Sequence, residues 1–336
     1  MYILISLAVF VLVILGLRLA LLYVRWPKTH TEEFKGTILQ LGHNLACLPD
    51  RSHLDAELVK QKTIICFPGF LEDMRYFLAL YHNTPARLII INNANYHNPF
   101  SVTSSTCPDW FTPPPYTPGT IAHDAHCVNQ VIEHMTYGEN TVIHGHSRGG
   151  AVVLETGNQQ PQRTKQLEAI LEAAVVPKGK MAGNMEKKLQ PVGFFLFPFL
   201  IALMRYIPKA TMLKSPTMWT SSRIKEELFL YLPLAPKQYR TALTSGKDII
   251  QWQAKTGYES YENFNKVTLF AGERDSVLWR KAMINSASNS AKVEIIETQG
   301  TDHFISLEKP DCIRDYFKTD KHSNASPATE KTTEAV

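Results

Sequence analysis

A serine hydroxyl is a weak nucleophile until a neighbouring base takes its proton, and Ser147 lies in a stretch suited to presenting it to one. The run Gly145-His146-Ser147-Arg148-Gly149 puts residues without side chains two positions either side of the serine. A tight strand-to-helix turn needs this, because its backbone approaches its surroundings too closely for a Cβ. Thr141-Val142-Ile143 before the turn reads as a buried parallel strand, and Ala151-Val152-Val153-Leu154 after it supplies an apolar helix face. The chemistry implied is attack on an acyl carbon through a covalent serine intermediate. A plain glycine-rich turn is the alternative, and the flanking strand and helix count against it.

An exposed serine requires a base and a third group to orient that base. Asp275 closes Gly272-Glu273-Arg274-Asp275, just after the apolar run Val267-Thr268-Leu269-Phe270. His303 lies in Gly300-Thr301-Asp302-His303-Phe304, just after Val293-Glu294-Ile295-Ile296. Ser147, Asp275 and His303 are therefore expected at the carboxyl edge of one parallel sheet, where open α/β folds bind ligands. The chain holds twelve histidines. His144 and His146 are nearer to Ser147 in sequence, but one belongs to the strand below the turn and the other precedes the serine on it, so neither is expected to face Oγ. Glu273, Asp302 and Glu172 are the competing acids, each with a solvated surface charge as its ordinary reading.

These residues need a scaffold, and the chain supplies strand and helix signals in alternation. Thr63 to Phe67 is a short apolar strand ending in Pro68-Gly69-Phe70, with a helical pattern from Met74 to Tyr81 after it. Arg87 to Ile91 is a second strand, and the proline-rich Asn92 to Gly119 is long enough to line a site. Ile121 to Met135 reads as a helix, Leu167 to Val176 as a strand, and Val277 to Ile284 and Pro310 to Phe317 as helices. Phe34 to Lys60 carries short strand-like runs expected at a sheet edge. This repetition predicts a mostly parallel sheet with helices on both faces.

From Lys178 to Asn265 the alternation fails, giving a helical, Met- and aromatic-rich insertion. Within it Val192 to Ile207 is strongly apolar around Pro198; sixteen residues broken by proline are short for a membrane span, and a cap over a greasy cleft or at a bilayer surface fits better. Tyr2 to Val24 is apolar except for Ser6 and Arg18, long enough to cross a hydrocarbon layer of about 30 Å. No basic residue precedes it and no small-x-small cleavage pattern follows, which favours an anchor over a signal peptide; a buried helix of a soluble protein is the third reading. Arg25 and Lys28, with Tyr23 and Trp26, follow the span and place the remainder on the cytoplasmic side. The expected organisation is an anchor over 1–28, a core over 29–177 and 266–318 interrupted by a cap over 178–265, and a disordered tail over 319–336.

Composition narrows the classes. At 336 residues, 44% hydrophobic and 20% charged, the chain has an ordinary globular balance. A net charge of +4 without basic runs interleaved with aromatics gives no support for nucleic-acid binding. Five scattered cysteines without paired spacing read as buried free thiols. No His, Cys and Asp set stands at ligand spacing and no Gly-rich phosphate loop follows the first strand, so neither metal nor cofactor is expected.

The three motifs together resemble the α/β-hydrolase family, over roughly Thr63 to Phe317. The resemblance implies that Ser147 is the nucleophile, His303 the general base and acid, and Asp275 the carboxylate that holds the imidazole tautomer. It also implies an oxyanion hole of two backbone N–H groups, from Arg148 at the start of the elbow helix and from Phe70, with Leu71 second, in the turn after Phe67. Many relatives have His-Gly where this chain has Pro68-Gly69. The expected activity is cleavage of a lipid or fatty acyl ester at a membrane. An acyltransferase using the same three residues, and a silent fold used as a membrane scaffold, are the alternatives. The sequence leaves the oligomeric state open.

Overall fold

Residues 2–23, 31–101, 105–136, 140–182, 190–204 and 236–319 are described by a computed structural model. The chain opens with helix α1 (Tyr2–Tyr23), then β1 (Glu32–Glu33), the hairpin β2 (Gly36–Leu41) and β3 (Asn44–Pro49), α2 (Ala56–Gln61) and β4 (Lys62–Phe67). Next come α3 (Arg75–Tyr81), β5 (Arg87–Ile91), β6 (Phe100–Ser101), α4 (Ile121–Met135), β7 (Asn140–His146), α5 (Arg148–Gln159), α6 (Pro161–Thr164) and β8 (Glu168–Glu172). The described remainder holds α7 (Gln190–Met204), α8 (Pro236–Lys255), β9 (Lys266–Gly272), α9 (Arg280–Ala287), β10 (Val293–Thr298), α10 (Ile305–Glu308) and α11 (Asp311–Thr319).

Eight strands make one sheet in the order β10-β9-β8-β7-β4-β5-β3-β2, with β3 alone running against its neighbours. The fold is therefore α/β with a mostly parallel sheet. β4 and β7 sit at its centre, which is why Thr63–Phe67 and Thr141–His146 are buried without alternation: a strand covered on both faces has no solvent side. One face carries Val128, Val152, Ile249 and Trp252 from α4, α5 and α8, and the other Tyr76, Phe77 and Ile313 from α3 and α11. The strand-like runs between Phe34 and Lys60 form the sheet edge as β2 and β3.

Two elements differ from expectation, both beside the site. The strand expected over Leu167 to Val176 stops at Glu172, because Ala173 turns into the left-handed region at φ 41° and Val175 N–H then donates to the Ser147 carbonyl. The helix expected from Val277 begins only at Arg280, because the N–H groups of Val277 and Leu278 both donate to Asp275 Oδ1 at 2.8 Å. The polar side chain wins the local competition with the helix for those two donors.

α1 keeps its apolar side chains exposed, with none of its span buried, so it is not a core helix; it is long and apolar enough to cross a membrane. Arg25, Trp26 and Lys28, the insertion over 183–189 and 205–235, and the tail from 320 lie outside the described residues. α7 is one helix with Pro198 inside it.

Candidate active site

Ser147 sits between β7 and α5 with φ 52° and ψ −118°, a backbone conformation that L-residues rarely adopt and that strains the turn. The strain is held from both sides. Ser147 N–H donates to the Glu172 carbonyl at 2.9 Å, and the Ser147 carbonyl accepts from Val175 at 2.8 Å and Gly150 at 3.1 Å. A Cβ on Gly145 would overlap the Gly149 carbonyl, and one on Gly149 would overlap the carbonyl of Phe67 on the neighbouring strand. These overlaps are the physical need for the two glycines of the pentapeptide.

Asp275 and His303 arrive from the ends of β9 and β10. His303 Nδ1 donates to Asp275 Oδ2 at 2.9 Å, with the Asp275 side chain fully buried and that of His303 nearly so. Burial alone would push the Asp275 carboxyl up, yet the His303 ring and the N–H groups of Leu278 and Val277 hold it below the usual carboxylate range. An ionised acceptor on Nδ1 fixes the ring proton there and leaves the lone pair on Nε2.

The competing acids are otherwise occupied. Glu172 is wholly buried and takes hydrogen bonds from Tyr76 Oη at 2.7 Å and from Ser306 N and Oγ, both at 2.6 Å. Burial works to raise it, but His144, whose Nε2 stands 3.1 Å away, the charge of His146 and Ser306 bring it down to about 2. It braces the segment just after His303. Glu273 accepts from Gly300 N–H at 2.7 Å, which joins the turn after β9 to the turn after β10, and Asp302 accepts from Phe304 N–H at 2.9 Å within its own turn.

His146 is where sequence reasoning stopped short. It is not a base for Ser147, as expected, but it is not idle. Its Nδ1 lies 2.7 Å from Glu72 Oε2 and its Nε2 lies 2.8 Å from the His303 carbonyl oxygen. Both partners only accept, so both ring nitrogens carry protons and His146 is an imidazolium. Burial opposes this, and the adjoining Glu72 carboxylate outweighs it, raising His146 from 6.5 to about 9. Glu72 Oε2 also takes the Gly69 N–H at 2.7 Å, so one buried ion pair ties the turn after β4 to the turn that carries His303. Tyr76 stacks on the His146 ring at 4.3 Å between centroids.

Donor atoms of Glu72, His146 and His303 fall within 4.8 Å of one another. Spacing along the chain does not show this group, because the three are remote in sequence and meet only in the fold. The contacts within this set are hydrogen bonds, from His146 to Glu72 and to the His303 carbonyl.

Arg148 contributes more than a backbone N–H. Its guanidinium is fully buried, donating to Asp124 Oδ2 and Asn93 Oδ1, both at 2.7 Å, and to the Gly119 carbonyl at 2.8 Å. Burial works against ionising Asp124, but Arg148 and His123 hold it below its ordinary range. Asn93 in turn donates to the Gly69 carbonyl at 2.8 Å. Both ends of the Asn92 to Gly119 segment thus reach the site. Phe70 and Leu71 line a cleft with Asn93, Tyr96 and the α8 residues Thr241 and Ser245, about 230 Å³ including space open to solvent. Leu71 adopts φ 61°, and its carbonyl accepts from Tyr96 Oη at 2.6 Å.

The sequence profile of the alpha/beta hydrolase family matches residues 64–311. The chain belongs to that family. Solved structures of similar fold accompany it. An esterase from Rhodococcus sp. ECU1013 is 17% identical, with a TM-score of 0.57 over 85% of this chain and 98% of that one. An α/β-hydrolase fold protein from Chitinophaga pinensis is 16% identical, with a TM-score of 0.56 over 89% and 100%. Carboxylesterase CesB from Bacillus subtilis is 11% identical, with a TM-score of 0.54 over 91% and 95%. At such identities these likenesses speak to the fold. No curated protein matches this hydrolase in sequence.

Proposed function

We propose that this hydrolase is a membrane-anchored serine esterase acting on a lipid or fatty acyl ester. The carrying observation is the 2.9 Å hydrogen bond from His303 Nδ1 to Asp275, set on the same sheet edge as a strained Ser147. His303 Nε2 takes the Ser147 proton as Oγ adds to the ester carbonyl, and returns it to the leaving alcohol as the tetrahedral intermediate collapses to an acyl-enzyme. Water, deprotonated by the same nitrogen, then releases the acid. The oxyanion is received by the N–H groups of Phe70 and Arg148, each worth about 3 kcal/mol of barrier. Arg148 adds the positive end of the α5 dipole.

The membrane half of the reading rests on α1, on the basic residues Arg25 and Lys28 that would keep the catalytic domain cytoplasmic, and on the apolar α7. Large apolar surface beside a site favours long acyl chains over short ones. Labelling with a serine-directed fluorophosphonate, wild type beside Ser147→Ala, tests the nucleophile. Label retained in Ser147→Ala overturns the assignment, and none in either protein favours a silent scaffold. Release of free acid from a panel of aryl esters, with and without an acceptor alcohol, separates hydrolysis from acyl transfer; activity that peaks at acetyl or butyryl removes the lipid substrate.

A further inference from the structure

α7 has two unlike faces. Phe195, Pro198, Phe199 and Ala202 recur at helical spacing and are partly or wholly covered, whereas Val192, Leu196, Leu200 and Leu203 form a second stripe that is 42–58% exposed. α1 is exposed around most of its circumference, but Ile14, Arg18 and Leu21 are partly covered and fall on one side, and α1 packs against α7 and α8. Arg18 Nε donates to the Phe195 carbonyl at 3.2 Å, and its guanidinium lies 5.3 Å from the centroid of the Phe195 ring. The partner carbonyl is one residue beyond the one that Pro198 deprives of its helical donor.

A lone arginine in a span is costly unless it reaches the interface or a backbone carbonyl, and Arg18 is five residues from the end of α1, about 8 Å of helix. Its bond to Phe195 sets α7 at the depth of that end. α7 has 15 residues, about 22 Å of helix, which is too short to cross about 30 Å of hydrocarbon.

We propose that α7 is a second membrane-embedded element, lying at the interface of the leaflet where α1 ends, with its Val192–Leu196–Leu200–Leu203 stripe in the acyl-chain region. The surface continues the apolar exterior of α1, which is why lipid is its occupant. α7 also packs on α8, and α8 lines the cleft beside Phe70, so the cleft is joined to the bilayer through two contacts. The substrate class is an ester resident in the bilayer that enters sideways. This rests on the reading of α1 as an anchor.

The test uses full-length protein in liposomes with an environment-sensitive dye on one cysteine, Leu200→Cys in α7 or Leu12→Cys in α1, after replacing Cys107 and Cys312 by serine. Lipids with doxyl quenchers placed shallow or deep on the acyl chain report depth. Expected is quenching of the position 200 dye several-fold more by shallow than by deep quencher, with the position 12 dye showing the reverse. If only the position 12 dye is quenched, α1 is an anchor and the proposal for α7 falls. If neither is quenched, the anchor reading falls and takes this one with it. A position 200 dye quenched best by the deep probe makes α7 a span and overturns its interfacial placement. In parallel, Leu196→Asp with Leu200→Asp should lose tenfold or more of the activity on vesicle-borne ester while keeping that on a soluble short aryl ester; equal loss on both counts against the bilayer route.

Discussion

His146 donates to Glu72 across 2.7 Å in the interior of the protein, and with its other nitrogen holds the backbone carbonyl of His303 at 2.8 Å. His146, the residue before Ser147, therefore joins the turn after β4 to the turn that carries His303. The elbow and the His303 turn also carry local hydrogen bonds, Gly150 N–H to the Ser147 carbonyl and Phe304 N–H to Asp302, and the His146 bridge is what fixes the two relative to each other and to the turn after β4.

Removing the carboxylate should loosen both turns at once. Glu72→Gln is expected to lower kcat about 10- to 100-fold on a soluble ester, with KM changed little, because the displaced groups act on the transition state more than on the bound ester. An unchanged kcat in a folded variant would mean that the pair has no positioning role.

The same pair should be visible in the pH dependence of stability. The His146 pKa in the folded state, about 9, lies above its ordinary value of 6.5, so its stabilising contribution is complete below the lower value and is lost as pH rises through the upper one. Denaturant unfolding should show wild type losing stability between about pH 7 and about pH 10, and Glu72→Gln losing less across the same window. Parallel profiles for the two proteins would contradict the assignment of His146 as an imidazolium.

Asp275→Asn is expected to cut kcat by about 10⁴-fold, because an amide can present an N–H where His303 Nδ1–H needs an acceptor and so favours the wrong tautomer. Ser147→Ala should abolish acyl-enzyme formation, seen as the loss of a mass adduct on a slowly hydrolysed ester. Thermal unfolding of both variants monitors the fold.

Arg148→Met tests the buried cation by its side chain alone, since the backbone N–H remains. It leaves the Asp124 carboxylate buried without its main partner, at a cost of about 3–5 kcal/mol. Adding Asp124→Asn should recover a good part of that loss; a double variant as unstable as the sum of the two singles would show that the pair is not coupled.

Gly149→Ala should fail to fold or lose several kcal/mol, because its Cβ meets the Phe67 carbonyl and central strands cannot give way. Gly16→Ala in α1, where nothing lies within 4 Å of the added carbon, is the matched control and should leave expression and activity unaltered.

Local pattern was enough to read the sheet, the elbow and the order of Ser147, Asp275 and His303. Unbroken apolar runs mark strands covered on both faces, the two glycines mark a backbone contact that excludes a Cβ, and strand ends follow from the alternation of β and α. The same residues supported the family, which the match over 64–311 bears out. Where the local pattern misled, a side chain had taken the backbone donors, as Asp275 does from Val277 and Leu278, or the chain had turned early, as at Ala173. The pairing of His146 with Glu72, 74 residues away, the bracing of Ser306 by Glu172, and the salt bridge of Arg148 with Asp124 were decided by the tertiary structure alone. A buried charge is stable only against a partner that arrives from another element, and nothing in the spacing along the chain says which element that is.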